Sequence, residues 1–310
     1  MTLPMPDLLR RSLFQPKALG SKEPPKLLFH YTSTEGLLGI LESKTLWATD
    51  FRYLNDPDEF AFARRLIVRE LRKRVPHVVD SYDRHVYAVA LELFEKLHTT
   101  AYVVSFSEDG NLLSQWRAYA PRNGFSVAFD SRSLQRIKDC KLVQCIYLSE
   151  ETRVVSFDRF LESWISFRPS HFQEIREARA QGSKNLLKHG ASLVARLMMN
   201  DLVGVALTVK HASYAEEREW RLVLIDDSVD RKIKTATSEV LHFRNSVFGL
   251  APYKTLRLSV SASRGHSGVR EVVVGPTPYP AAAVVATENL VRSRWPSPVY
   301  VRPCDIPYRS

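Results

Sequence analysis

Two places in this 310-residue chain combine residue type and spacing in a way that suggests chemistry. The first is His30-Tyr31-Thr32, which closes the apolar run Leu27-Leu28-Phe29 and stands directly before a helix start at Ser33 or Thr34. A polar strand end facing a helix N-terminus suits a phosphate-bearing ligand. The same residues also read as a satisfied structural histidine followed, at Asn55-Asp56, by an ordinary turn and cap. The second place is Glu217 and Glu219, two apart, which on an extended strand project to one face. Two carboxylates at one strand mouth are costly unless a cation or a ligand uses them, and Lys210, Arg218 and Arg221 are available to pair with them at the surface. Ser105 and Ser107, at the end of a β-rich run, are a third group able to face the ligand of His30.

The elements that must position these residues follow from periodicity. Leu37, Leu38 and Leu41 mark a helix after His30, and Leu46 to Thr49 a second short strand. Phe60, Ala63, Ile67 and Leu71 repeat at helical spacing, with Arg64, Arg65, Arg69, Arg72, Lys73 and Arg74 on the other face. That basic face is either a solvated surface or, through Arg65, Arg69 and Arg72, a nucleic-acid contact. Val86 to Leu97 marks another helix. Tyr102 to Ser107 alternates poorly, as a strand buried on both faces does. Leu112 to Tyr119 is helical, Gly124 to Phe129 and Lys141 to Leu148 are strands, and about 155–204 is almost wholly helical. Strands follow at Glu219 to Ile225, near Glu239 to Phe243 and at Glu271 to Val274, then a helix at Ala281 to Leu290 and a last strand at Val299 to Arg302. The irregular alternation and strand-rich late half predict an α+β fold rather than a doubly wound parallel sheet. Residues 1–25 read as a flexible basic arm, and 26–310 as a single α+β domain with a helical insertion at about 155–204.

Composition sets the class. With 45% apolar residues the chain can bury a large core, and 44 − 34 leaves a net charge of +10, which favours an anionic partner such as nucleic acid or a nucleotide. Without a membrane-length apolar run or a signal-peptide core, a cytoplasmic location and no membrane partner are expected. Cys140, Cys145 and Cys304 fit neither a disulfide framework nor a zinc site, and no metal is expected. The phosphate loop, the dinucleotide-binding glycine motif, the hydrolase nucleophile elbow and the H-E-x-x-H helix have no match.

The ordered motifs HYTS-x-x-GLLGIL, LW, LNDPDE, SFS with SQW-x-x-Y, GFSVAFD, Y-x-x-E-x-EWRLV, VVVGP and IPYR, over about 27–309, resemble a bacterial family catalogued as a domain of unknown function. More distantly, His-x-Thr on the first strand, the Gly-Leu-x-x-Ile-Leu helix and a late strand-opening glutamate resemble the ADP-ribosyltransferase superfamily, which includes toxins that modify DNA bases. That resemblance implies a split mixed or antiparallel β-sheet core, NAD as co-substrate, and a role as a toxin or phage-defence effector. It places His30 on the adenosine-side ribose of NAD, Thr32 beside the nicotinamide and Glu219 as the catalytic glutamate. Tyr31 stands where many relatives have a glycine whose backbone approaches the nicotinamide. Tyr53, with Phe106 and Tyr119 competing, is the aromatic implied to stack on nicotinamide, with Ser105 near the same pocket and Glu217 on the acceptor side. The implied partners are NAD, an RNA, DNA or protein acceptor, and an antitoxin or defence-system partner. The chemistry needs no metal, because nicotinamide leaves as a neutral molecule and a fixed carboxylate stabilises the positive ribose of the transition state.

The residues leave two other readings open. One is a non-catalytic nucleic-acid-binding module acting through the basic helix, and the other an interaction module on a degenerate enzyme fold. If the enzymatic reading holds, the strand of His30 and the strand of Glu219 are expected side by side across one cleft.

Overall fold

The chain's first apolar run becomes β1 (Leu27–Thr32), and Ser33 caps the helix behind it, its hydroxyl accepting from Gly36 N at 3.2 Å. That helix, α1 (Thr34–Ser43), ends at Lys44 in the left-handed region (φ 56°), which turns the chain into β2 (Thr45–Asp50). We describe a computed structural model covering residues 22–54, 57–97, 99–120, 123–151, 155–226, 240–246, 249–260 and 268–307. Most of the expected N-terminal arm, and the Asn55-Asp56 turn, lie outside these residues. Helices α2 (Pro57–Arg74) and α3 (Ser81–Lys96) follow, then β3 (Thr100–Ser107), α4 (Leu113–Tyr119), β4 (Phe125–Asp130) and α5 (Ser131–Gln135). Next come β5 (Lys141–Gln144), β6 (Ile146–Leu148) and three helices, α6 (Val155–Ser166), α7 (Gln173–Ala180) and α8 (Lys184–Ala206). The chain closes with β7 (Val209–His211), β8 (Glu219–Asp226), β9 (His242–Ser246), β10 (Gly249–Arg257), β11 (Val269–Val274), α9 (Pro280–Arg294) and β12 (Tyr300–Pro303).

The result is an α+β fold around one mixed, mostly antiparallel sheet, which runs β12-β11-β4-β1-β3-β2-β10-β9 and branches at β3 to β8 and β5. The branch matters most. Along one edge β3 pairs with β8 over its full length, from Thr100↔Asp226 to Ser107↔Glu219. Its other edge is shared: β1 meets it at Phe29↔Ser107, and β2 meets it at Thr49↔Val103 and Asp50↔Tyr102. Between these contacts the sheet forks, and the β3 edge at Ser105 is left without a strand partner. The strands of His30 and Glu219 are not hydrogen-bonded to each other but flank β3, about two strand spacings or roughly 10 Å apart, and the two residues line one cleft.

Both faces of β3 are covered, which is why its sequence does not alternate. Ala101 and Val103 enter a core built with α2, α3, α6, α7 and α8, where Tyr87 and Trp164 pack at 5.2 Å between centroids. Tyr102, Val104 and Phe106 enter a second core with α1, α9 and β4. The long helical stretch is the wall of the first core, and it is tied down by Asp83. This fully buried carboxylate accepts from Ser170 N at 2.7 Å and from Ser170 Oγ at 3.0 Å. Asp83→Ala leaves both buried donors unsatisfied, and we expect a loss of about 2–3 kcal/mol, read as a lowered midpoint in urea unfolding with an unchanged slope.

Candidate functional site

At the fork the backbone carbonyl of Ser105 lacks a ladder partner, and His30 supplies one. Its Nδ1 lies 2.9 Å from Ser105 O. A carbonyl oxygen only accepts, so Nδ1 carries the proton and Nε2 is left as an acceptor in the neutral ring. Burial pushes the His30 pKa down against the raising effect of this hydrogen bond, and the nearby Arg244 guanidinium lowers it further, so the ring is neutral at neutral pH. The histidine thus has a structural duty at the split and a free nitrogen beside the cleft.

That cleft, about 360 Å³ including its open mouth, is lined by Phe29, His30, Tyr31, Ser105, Phe106, Gln115, Tyr119, Glu217 and Glu219. Of the residues singled out in the sequence, it gathers His30, Tyr31, Ser105, Glu217 and Glu219. It does not gather Thr32 or Tyr53. Thr32 packs its hydroxyl against Gly36, where a Cβ would collide with it, and Tyr53 closes a short 3-10 turn after β2. The aromatic walls come instead from Phe29, Tyr31, Phe106 and Tyr119. Tyr31 is held by its hydroxyl, which donates to Asp109 O and accepts from Leu112 N, each at 2.9 Å, and by an edge contact with Trp116.

Glu219 opens β8, and its backbone is fixed on both sides: its N–H donates to Tyr147 Oη at 2.7 Å, and its carbonyl accepts from Cys145 N at 2.9 Å. Glu217 is not on the strand. It ends a 3-10 turn, and Arg218, in the left-handed region at φ 43°, swings the chain so that both glutamates still reach the same place. Ser107 anchors this turn, donating from Oγ to Glu217 O at 2.8 Å.

The acids and cations do not meet at the surface. Lys210 and Arg221 are each 3% exposed, which makes this a buried network. Lys210 Nζ lies 2.5 Å from Glu217 Oε2 and 2.6 Å from Glu219 Oε2. Arg221 Nε donates to Glu219 Oε1 at 2.7 Å, and its guanidinium also bonds Leu207 O and Glu59. Glu59, from the LNDPDE stretch at the start of α2, also lies 3.6 Å from Lys210. Three carboxylates thus surround two cations, leaving one unbalanced negative charge when all are ionised. Burial raises the Glu219 pKa, but Arg221 and Lys210 outweigh it and hold the carboxyl down to about 2. Glu217 goes the other way, raised by burial more than Lys210 lowers it. Burial, then Glu217 and Glu219, push Tyr119 up to about 12. Glu219 is therefore a fixed anion, while Glu217 is a carboxylate whose Oε1 has no partner among the described residues.

Glu59 and Gln115 complete the site without an assignment from sequence, while Ser107 and Lys210, expected to face the ligand of His30 and to pair with the glutamates, anchor the Glu217 turn and bridge both carboxylates. The only signal for Glu59 was the LNDPDE motif. The basic helix resolves differently. Arg69 bridges Glu70 and Glu150, Arg72 pairs with Glu95, and Arg74 pairs with Asp158, while Arg65 is exposed. Arg69 and Arg72 are thus engaged by acids in solvent-exposed pairs, which fits the solvated-surface alternative for this face. Among the described residues no group of His, Cys, Asp and Glu is arranged to hold a metal ion, and no helix is long and apolar enough to cross a membrane.

Because the Glu219 carboxyl titrates near 2 in the fold and nearer 4.5 in a free chain, its contribution to stability is complete above about pH 4.5 and is lost as the pH falls towards 2. Unfolding free energy measured from pH 5 to 2 should fall steeply in the native chain and more shallowly in Glu219→Gln. An unchanged slope would show that the carboxyl is not held down by the cations.

Comparison with known proteins gives one family match. Residues 115–222 match the family described as "Protein of unknown function (DUF2971)", a narrower span than the 27–309 over which the motifs run. The matched segment takes in Gln115, Tyr119, Glu217 and Glu219, while His30 and Ser105 lie before it. No curated protein and no solved structure matches, and none of these comparisons links the chain to ADP-ribosyltransferases.

Proposed function

We propose that the chain is a NAD-dependent ADP-ribosyltransferase and that the cleft at the fork is where it holds NAD. The observation that carries this reading is the pairing of aromatic walls with a buried cluster of net negative charge. The oxidised nicotinamide ring is a flat cation, and a negatively biased, aromatic-walled cleft suits it better than it suits an anionic or aliphatic ligand. In the reaction the bond between nicotinamide and ribose breaks, its electron pair goes to the nicotinamide nitrogen, and positive charge builds on the ribose. Glu219, ionised and immobile, stabilises that charge without reorganising during the reaction. The acceptor nucleophile then forms the new bond to the ribose carbon and gives up its proton. Glu217, with a raised pKa and an unpartnered oxygen, is placed to take it.

The two cations qualify the electrostatics. Because Lys210 and Arg221 already share the Glu219 charge, what the ribose feels is the surplus of the whole cluster, and Glu59 supplies the carboxylate that makes it negative. The role of toxin or phage-defence effector, and an RNA, DNA or protein acceptor, remain part of this proposal through the resemblance alone. The competing reading as a nucleic-acid module acting through α2 rests on the exposed Arg65 and on exchanging the solvent-exposed ion pairs of Arg69 and Arg72 for phosphates.

The test is incubation with nicotinamide-labelled NAD, with and without RNA, DNA and protein acceptors. Nicotinamide release should drop by two or more orders of magnitude, on the order of 3 kcal/mol, in Glu219→Gln. Glu217→Gln should reduce transfer to acceptor more than release. Glu59→Gln, which removes the surplus charge but keeps an oxygen facing Arg221, should lower release on the order of tenfold, with thermal melts checking that the variant folds. Full release by Glu219→Gln would sink the assignment.

A further inference from the structure

Beyond the cleft, the register carries one face of the sheet away from the site. Glu219 pairs with Ser107, and Ser105 and Val103 share that face of β3. Val103 pairs with Thr49, Thr49 with Tyr253, and Tyr253 with His242, so Thr49, Trp47, Tyr253, His242 and Arg244 continue it across β2, β10 and β9. From the β8 strand to the β10 strand is three strand spacings, about 14 Å.

Two features stand out on this continuation. The first is a ladder of parallel rings: Trp47 and Tyr253 are stacked at 4.9 Å and 27°, and His242 continues the stack on Tyr253 at 5.3 Å and 25°. Cross-strand aromatic pairs stabilise sheets, but these three rings are all partly exposed rather than sealed in a core. The second is Arg244, exposed, whose Nη2 donates to Thr49 Oγ1 at 3.1 Å. Unlike Arg69 and Arg72, Arg244 has no acidic partner among the described residues, and its guanidinium lies close enough to His30 to act on that ring. Besides the negative aromatic cleft, this side of the molecule therefore presents a guanidinium without an acidic partner among the described residues, reaching Thr49, and a stack of flat rings.

We infer that Arg244 and the Trp47–Tyr253–His242 ladder form the site for the adenylate half of a dinucleotide whose other half occupies the cleft. The inference rests on the NAD reading of the cleft and assigns residues to the remainder of the molecule. The chemical characters match: a cationic ring for the cleft, a pyrophosphate for Arg244, and a purine to extend the ring stack. A guanidinium makes charge-assisted, fork-shaped hydrogen bonds with phosphate oxygens, and only one of its donors is used by Thr49. A purine adds to an aromatic stack through its π-face. His30 lines the cleft half of this site.

Calorimetric titration of the full chain with ADP and with adenosine tests this directly. ADP should bind, and Arg244→Gln should weaken ADP by on the order of tenfold while changing adenosine much less. Tyr253→Leu should weaken both, and thermal melts check that it folds; Arg244, being exposed, keeps the test valid if Tyr253→Leu does not. Absence of ADP binding, or ADP binding indifferent to both variants, overturns the inference. If ADP binds through Arg244 but NAD is never cleaved, the adenylate site stands and the transferase reading falls. If NAD is cleaved with an affinity independent of Arg244 and Tyr253, the reverse holds. Single-stranded oligonucleotide that binds through these residues and is not displaced by ADP also overturns it, making the face a nucleic-acid contact.

Discussion

Lys210 and Arg221 sit among Glu59, Glu217 and Glu219 in a setting with almost no access to water, and most of what surrounds the site depends on that network. Removing such ions from water costs several kcal/mol each, and only close, multiply bonded geometry offsets it. Each cation accordingly meets at least two carboxylates, and Arg221 also takes the Leu207 carbonyl. The network joins the start of α2, strand β7, the turn carrying Glu217 and the mouth of β8. Loss of one partner strands a buried charge, so the four segments hold position together or not at all.

The fork in the sheet is the second constraint, and it is solved by one side chain. Where β1 and β2 part company along β3, a carbonyl would face a gap without a donor, a costly arrangement at a buried position. His30 fills it, which reconciles the structural and the functional readings of that residue: the same hydrogen bond that satisfies Ser105 fixes the tautomer that leaves Nε2 available. Opposite it, Arg218 holds an uncommon left-handed backbone and is braced by Asp109 at 2.8 Å.

Local chemistry made part of this visible in the sequence. The Ser33 cap, the doubly buried β3, the helices between 155 and 206 and the α+β class all follow from propensity and period. So does the closeness of Glu217 and Glu219, although their common direction arises from the Arg218 kink and not from strand alternation. Pairing was harder to read. Strand β10 holds Gly249 and Pro252, residues that argue against an interior strand, yet it lies between β2 and β9. Apart from Glu70 next to Arg69, the partners of Arg69, Arg72 and Arg74 are acids 23 to 84 positions away in the chain, a separation no helical-face argument reaches. Tyr119 displaced Tyr53 in the cleft for the same reason, since register across the fork, not sequence proximity to His30, decides which aromatic arrives there.

The buried network also bears on how the chain reaches its fold. Glu59 and Lys210 are 210 − 59 = 151 positions apart, with α3, α6, α7 and α8 of the first core folding between them, so closing this contact requires long-range ordering that local structure cannot supply. On a ribosome, the acid that completes the network emerges long before the cations it must meet. Until they arrive, Glu59 stays hydrated, and a compact state that buries Arg221 without Glu59 leaves that guanidinium one carboxylate short in the interior. Such states are disfavoured, and the same charges that organise the site act during folding as a filter against wrongly docked helices.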